Sequence, residues 1–275
     1  CWGSGFLPST LGGVELRTRG DLVPCVKDPE GMDRQARRRG IDLLAALNGE
    51  RSKALGDPEI AARTAAYQLA YRMQDSAPEL SRIEDEPEHV HRLYGSVPGQ
   101  RSFANNCLLA RRLLERGARC VQVVPRGWDH HGSNDSDDLI HGLPRMCRQT
   151  DQAAAALVTD LRQRGMLDDT LVVWGGEFGR TPMREVRKQS HLGRDHNPRA
   201  WTMWFAGGGV KSGQTIGGTD ELGYRAAQDP VHLHDVHATV LHLMGIDHEK
   251  LTYRFQGRDY RLTDVHGKVV RQLME

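Results

Sequence analysis

The stretch Leu171-Val172-Val173-Trp174-Gly175-Gly176-Glu177 decides the fold that this sequence predicts. Its β-branched and aromatic residues indicate a strand, and the paired glycines and the carboxylate mark the point where the strand ends. A shorter β-rich run, Cys120–Val124, precedes it, and helical periodicity over Leu143–Arg164 lies between the two runs. Strand, helix and strand at this spacing predict a right-handed βαβ unit with parallel strands. We therefore expect a three-layer α/β/α sandwich with a largely parallel central sheet.

Helical patterns also flank this unit. Apolar residues recur at helical spacing over residues 31–75 and 102–116, and a last helix is predicted from His234 to Met244, before a glycine. We expect one domain over residues 1–275. Its first 100 residues are predicted to be irregular and helical, and residues 101–275 are predicted to hold the sheet.

Ligand-type side chains follow the two predicted strands. Asp129 and His131 lie just beyond the run that ends at Val124, and Glu177 stands at the end of the second run. Since the carboxyl ends of parallel strands share one edge of a sheet, we expect these three side chains to lie close together.

His196 joins this set only under one condition. It precedes a third predicted strand, 201–206, by five residues. If that strand ran parallel to the others, His196 would lie at the far edge of the sheet. We therefore predict that strand 201–206 is antiparallel, which places His196 and its neighbour Asp195 near Glu177.

The chemistry of these residues indicates a metal site. Carboxylates and imidazoles suit Zn²⁺, with Mn²⁺, Fe²⁺ or Mg²⁺ as alternatives, and two such ions can clamp the oxygens of a transferring phosphoryl or sulfuryl group. Arg180 and Arg194 lie beside the ligands and are predicted to bind an anionic substrate. The predicted metal ligands are Asp129, His131, Glu177, His196 and, with weaker support, Asp195.

The bulk composition limits the classes of binding partner that we expect. The 275-residue chain carries 37 Lys and Arg against 36 Asp and Glu, a net charge of +1, which gives no reason to expect nucleic acid as a partner. No apolar run approaches the roughly 20 residues needed to span a bilayer. The expected partner is therefore a small molecule.

Several motifs together resemble an uncharacterised bacterial family of sulfatase-like proteins in the alkaline phosphatase superfamily. The motifs lie at residues 2–9, 98–104, 127–132, 176–182, 193–198 and 234–247. The likeness covers essentially the whole chain, which resembles the C-terminal part of such a protein.

This resemblance implies an alkaline phosphatase-like fold with a two-metal site. Asp129 and His131 would bind one metal together with His196. Glu177 would contribute to the second metal, where Phe178 replaces the expected imidazole. The resemblance also implies that a nucleophile lies upstream of Cys1, so no catalytic nucleophile is identified within this chain. It further implies export to the periplasm or beyond.

We therefore expect a metal-dependent hydrolase of phosphate or sulfate esters, carried by small molecules or glycans. One alternative is a catalytically inactive metal-binding or interaction protein of the same fold. Another is a metal-dependent mutase or phosphonate-cleaving relative. The sequence leaves open the choice between phosphate and sulfate, the metal and its number, and the oligomeric state.

Overall fold

The structure is a computed structural model that describes residues 4, 7–8, 11–18, 22–23, 28 and 30–274. The chain forms two compact units. The first comprises residues 1–124 and 152–154, and the second comprises residues 125–151 and 155–275. The single domain expected from the sequence stays a prediction.

The first unit is helical in its described part. Its helices are α1 (Arg34–Leu55), α2 (Pro58–Ser81), α3 (Glu88–Tyr94) and α4 (Phe103–Glu115), with a 3₁₀ turn at Ile83–Asp85. The helices expected over residues 31–75 and 102–116 are therefore confirmed.

Capping residues explain where α1 and α2 begin and end. The Asp33 side chain accepts a hydrogen bond from the Ala36 N–H (2.7 Å) at the start of α1, and Gly56 ends that helix with φ of 65°. Asp57 then caps α2, which has a proline in its first turn. A cap, a left-handed glycine and a second cap in succession fix a two-residue turn between the helices.

A buried ion pair lies beside α4. Arg111, which is 1% exposed, contacts Glu86 Oε2 at 2.6 Å, and Arg112 contacts the other oxygen at 2.5 Å. Burial alone would raise the pKa of Glu86, but the hydrogen bonds from Arg111 and Arg112 outweigh it and lower the pKa. Glu86 therefore stays ionised and holds the chain before α3 against α4.

The second unit combines two helices with short strands. The helices are α5 (Gly142–Gln163) and α6 (Leu233–Leu243). The strands are β1 (Val172–Trp174), β2 (Gly179–Arg180), β3 (His196–Asn197), β4 (Trp204–Ala206), β5 (Gly218–Thr219), β6 (Ala226–Gln228), β7 (Thr252–Phe255) and β8 (Arg258–Arg261). None of the helices in the described part of the chain is both long and apolar enough to cross a bilayer.

The predicted α/β/α sandwich with a largely parallel sheet is wrong. The described strands form four two-stranded sheets, β1–β4, β2–β3, β5–β6 and β7–β8, and every pair is antiparallel. The run Cys120–Val124 forms no strand, so the expected βαβ unit does not exist. A β-rich run indicates an extended segment, but it does not show which strand that segment would pair with. Strand pairing depends on contacts between residues that are distant in sequence.

Other local expectations are confirmed. The helices predicted at 143–164 and 234–244 correspond to α5 and α6. The third strand is antiparallel as predicted, because β4 pairs with β1 in the register Val172↔Ala206 and Trp174↔Trp204.

Two loops of the second unit cross at a pair of glycines, Gly132 and Gly193. A Cβ on Gly132 would lie 2.7 Å from the Gly193 nitrogen, and a Cβ on Gly193 would overlap the backbone carbonyl of His131. The Arg194 N–H donates to the His130 carbonyl (3.1 Å) beside this contact. We call this contact the glycine crossing, since only residues without a side chain allow so close an approach.

We predict that Glu86→Gln lowers the free energy of unfolding by about 3 kcal/mol, because it removes the carboxylate charge that lies between Arg111 and Arg112 and leaves Glu115 as the one carboxylate that the ion-pair contacts still give Arg111. The lowered pKa of Glu86 means that its contribution is present above the unfolded-state pKa and is lost as the pH falls through the folded-state pKa. Urea unfolding should therefore show a gap between wild type and variant that narrows on acidification.

The matched control is Glu88→Gln, which removes the exposed ion pair with Arg92. It should cost less than about 1 kcal/mol. Equal losses for the two variants would contradict a structural role for the buried pair.

We predict that Gly193→Ala destabilises the protein by about 1–3 kcal/mol, because the added methyl group forces the two loops apart. Gly176→Ala is the control: its Cβ would meet nothing closer than 3.7 Å, and neither glycine has a positive φ. Thermal unfolding of both variants tests this. Unchanged stability in Gly193→Ala would show that the crossing is not a tight constraint.

Candidate metal site

Three predicted ligands meet beside the glycine crossing. Asp129 and His131 lie on one of the crossing loops, and His196 begins β3. In the β2–β3 pair Arg180 lies opposite His196, so the hairpin brings the arginine to the same place. The structure therefore gathers residues from two segments of chain about 65 positions apart.

Their ligand atoms form a small triangle. Asp129 Oδ1 lies 2.8 Å from His131 Nε2 and 3.0 Å from His196 Nε2, and the two imidazole nitrogens are 3.1 Å apart. His131 is almost fully buried, while the Asp129 side chain is 64% exposed. The cluster is therefore anchored on one side and open to solvent on the other.

Hydrogen bonding decides which nitrogen of His131 faces the triangle with a lone pair. His131 Nδ1 lies 2.5 Å from Glu185 Oε2, and an ionised carboxylate only accepts hydrogen bonds, so Nδ1 carries the proton. A neutral His131 then presents a lone pair on Nε2 to the Asp129 oxygen at 2.8 Å. The Arg180 guanidinium is the positive charge near both atoms, since its Nη1 lies 3.3 Å from His131 Nε2 and its Nη2 lies 2.8 Å from Asp129 Oδ1.

The donor set fits a divalent transition metal. Two imidazole nitrogens and one carboxylate oxygen suit Zn²⁺, Mn²⁺ or Fe²⁺. The sides of the triangle are short enough for all three atoms to lie about 2.1 Å from one bound ion. Three protein ligands leave coordination positions for water or substrate, as in catalytic sites.

Arg180 borders the same triangle. Its Nη2 donates to Asp129 Oδ1 (2.8 Å) and to the Trp128 carbonyl (3.1 Å). The hydrogen bond from Arg180, followed by that from His196, holds the pKa of Asp129 well below its usual range, although burial opposes this. Asp129 is therefore an anion at any physiological pH and is available as a ligand.

Aromatic packing fixes the ring of His196. The ring centroid of His196 lies 4.4 Å from that of Phe178 and 4.8 Å from that of His131. His130, between the two loop ligands, is buried, and burial lowers its pKa. Within the described residues His130 is not part of the ligand cluster.

The other predicted site residues lie differently. Glu177 is exposed and belongs to none of the His and carboxylate clusters in the described part of the chain. Asp195 is exposed, and its carboxylate accepts the His196 N–H at 2.7 Å. It also forms a group with His131 and Glu185 whose possible ligand atoms lie within 4.8 Å of one another. The Arg194 guanidinium donates to the carbonyls of Thr181 (2.5 Å) and Arg180 (3.1 Å), so its contacts are structural.

Glu185 is a site residue that the sequence reasoning missed. Besides contacting His131, its second oxygen accepts from Arg187 Nε at 2.6 Å. The hydrogen bond from His131, followed by that from Arg187, lowers the pKa of Glu185. The only sequence signal was a lone carboxylate among the basic residues Arg184, Arg187 and Lys188.

A second acidic cluster has a structural explanation. Asp135, Asp138 and His141 place possible ligand atoms close together. However, Asp138 accepts from the backbone N–H groups of His141 (2.6 Å) and Gly142 (3.1 Å), and from the His141 ring (2.9 Å). These contacts use both oxygens of Asp138 and hold the turn that leads into α5.

Comparison with known proteins corrects the resemblance drawn from the motifs. The matching family model is described as a protein of unknown function, DUF1501, and nothing points to a sulfatase-like family of the alkaline phosphatase superfamily. The expectations of an upstream nucleophile and of export rested on that resemblance and no longer have that basis. No curated protein and no solved structure matches the chain. The family model covers residues 1–274, so the chain belongs to the DUF1501 family.

Proposed function

We propose that this protein binds one divalent metal ion through Asp129, His131 and His196 and uses the site to hydrolyse an anionic ester. The observation that supports this most directly is the triangle of two imidazole nitrogens and one carboxylate oxygen, with sides of 2.8, 3.0 and 3.1 Å. When bound, a divalent ion supplies Lewis acidity to an ester oxygen and makes water more acidic at neutral pH.

The chain's own residues have separate tasks in this proposal. Asp129 supplies the negative charge that attracts the ion, and the two imidazoles hold it as neutral ligands. Arg180, which is anchored to the Trp128 carbonyl, presents a guanidinium at the rim of the site. A guanidinium binds the oxygens of a phosphate or sulfate group through paired hydrogen bonds.

Charge balance favours a phosphate monoester over a sulfate ester. Asp129 is the one anion of the triangle, and Arg180 already compensates it at 2.8 Å. A divalent ion then leaves about two uncompensated positive charges, because Glu185 is paired with Arg187 outside the triangle. A phosphate monoester carries close to two negative charges at pH 7, whereas a sulfate monoester carries one.

We predict that wild-type protein binds about one equivalent of Zn²⁺ or Mn²⁺, and that Asp129→Ala, His131→Ala and His196→Ala each weaken binding by at least about 100-fold. Isothermal titration calorimetry with metal-free protein measures this. His237→Ala, which removes an exposed histidine, is the control and should bind as the wild type does. Equal affinity in all four variants would refute the site.

We predict that Arg180→Met separates metal binding from anion binding. Removing a positive charge 2.8 Å from Asp129 should strengthen metal binding, whereas the affinity for inorganic phosphate in the metal-loaded protein should fall by about tenfold or more. Arg225→Met, at an exposed arginine paired with Asp220, should change neither value. Weaker metal binding in Arg180→Met would contradict this assignment.

Turnover decides between an enzyme and a metal-binding protein. Metal-loaded wild type should hydrolyse an aryl phosphate faster than the matching aryl sulfate, and Arg180→Met should lower kcat/KM for the phosphate. Metal binding without turnover of either ester would instead support a non-catalytic metal-binding function.

A further inference from the structure

Both nitrogens of the His131 ring are engaged, and they face different partners. Nε2 faces Asp129, His196 and the Arg180 guanidinium (Nη1 at 3.3 Å), while Nδ1 lies 2.5 Å from Glu185 Oε2. The ring is 7% exposed, so water does not compete for these positions. The partner of Nδ1 therefore decides which nitrogen keeps the proton in the neutral ring.

Glu185 is itself fixed at both ends. Its backbone N–H donates to the Gly193 carbonyl at 2.9 Å, which ties it to the glycine crossing. Its side chain divides between two partners, with Oε2 on His131 and Oε1 on Arg187 Nε at 2.6 Å. A carboxylate restrained in this way offers His131 an acceptor of fixed position and permanent charge.

We propose that Glu185 is a positioning residue that holds the proton of His131 on Nδ1 and thereby aims the Nε2 lone pair at the metal. The proposal rests on the metal site described above, but its first consequence concerns the metal-free protein. A hydrogen-bonded carboxylate behind a ligating imidazole fixes the tautomer and the ring orientation and makes the ligand more basic. Arg187 acts one step further out by orienting Glu185.

The tautomer of His131 is the direct test. In metal-free wild type, ¹⁵N-detected NMR of the histidine rings should show His131 as the neutral Nδ1–H form. In Glu185→Leu the acceptor is gone, so the proton should move to Nε2, where Asp129 accepts it. Glu185→Gln keeps an uncharged acceptor and should retain the Nδ1–H form.

Metal affinity supplies the second measurement. Calorimetry with Zn²⁺ should show a loss of about 10- to 100-fold in Glu185→Leu and a smaller loss in Glu185→Gln. Glu221→Leu, at an exposed glutamate of the same unit, should bind as the wild type does. Because Glu185→Gln keeps the shape of the side chain, its result stands even if Glu185→Leu folds poorly.

Different failures have different meanings. An Nε2–H or doubly protonated His131 in metal-free wild type would overturn the role of Glu185, and so would a Glu185→Leu variant with the wild-type tautomer and affinity. If wild type binds no metal but His131 is Nδ1–H and changes in Glu185→Leu, the metal site fails while the orientation by Glu185 holds.

Discussion

The contact between Gly132 and Gly193 is the constraint on which the candidate site depends. At this point two backbone segments approach so closely that a methyl group on either glycine would collide with the other segment. One backbone continues from Asp129 and His131, and the other leads into His196, so the crossing sets the distance between the ligands. Glu185 joins the same contact through its bond to the Gly193 carbonyl. Local steric fit therefore decides whether the triangle of ligand atoms exists.

The helices could be predicted from the sequence because the signals that mark a helix are local. Apolar periodicity and a glycine just beyond the last turn mark both α4 and α5, and Ser102 caps α4, so their predicted bounds agree with the structure to within one or two residues. The antiparallel strand at Trp204–Ala206 was found by a different argument. It followed from requiring His196 to lie near the other ligands, and the chemistry of the site thus predicted a strand direction that propensity does not encode.

The sheet was mispredicted because its information is not local. The Cys120–Val124 run has strand composition, yet it forms no strand, and each described strand pairs with one partner only. The ligands nevertheless meet, although not at the edge of a parallel sheet. Their meeting depends on a hairpin and a glycine crossing, which the individual glycines in the sequence do not reveal. Glu185 escaped notice for the same reason, since only the fold brings it within 2.5 Å of His131.

The two sides of the triangle differ in ways that suit binding and exchange. On the inner side His131 is buried, its ring contacts Glu185, and its backbone carbonyl lies against Gly193. On the outer side Asp129 is 64% exposed and meets Arg180, whose charge competes with any cation for the same oxygen. A rigid inner ligand preserves geometry, while a solvated outer carboxylate allows an ion and an anion to enter. Arg180 repels a cation but attracts an anion. An anion bound between Arg180 and the metal ion would relieve the repulsion between these two positive charges. Metal and anion should therefore each strengthen the binding of the other.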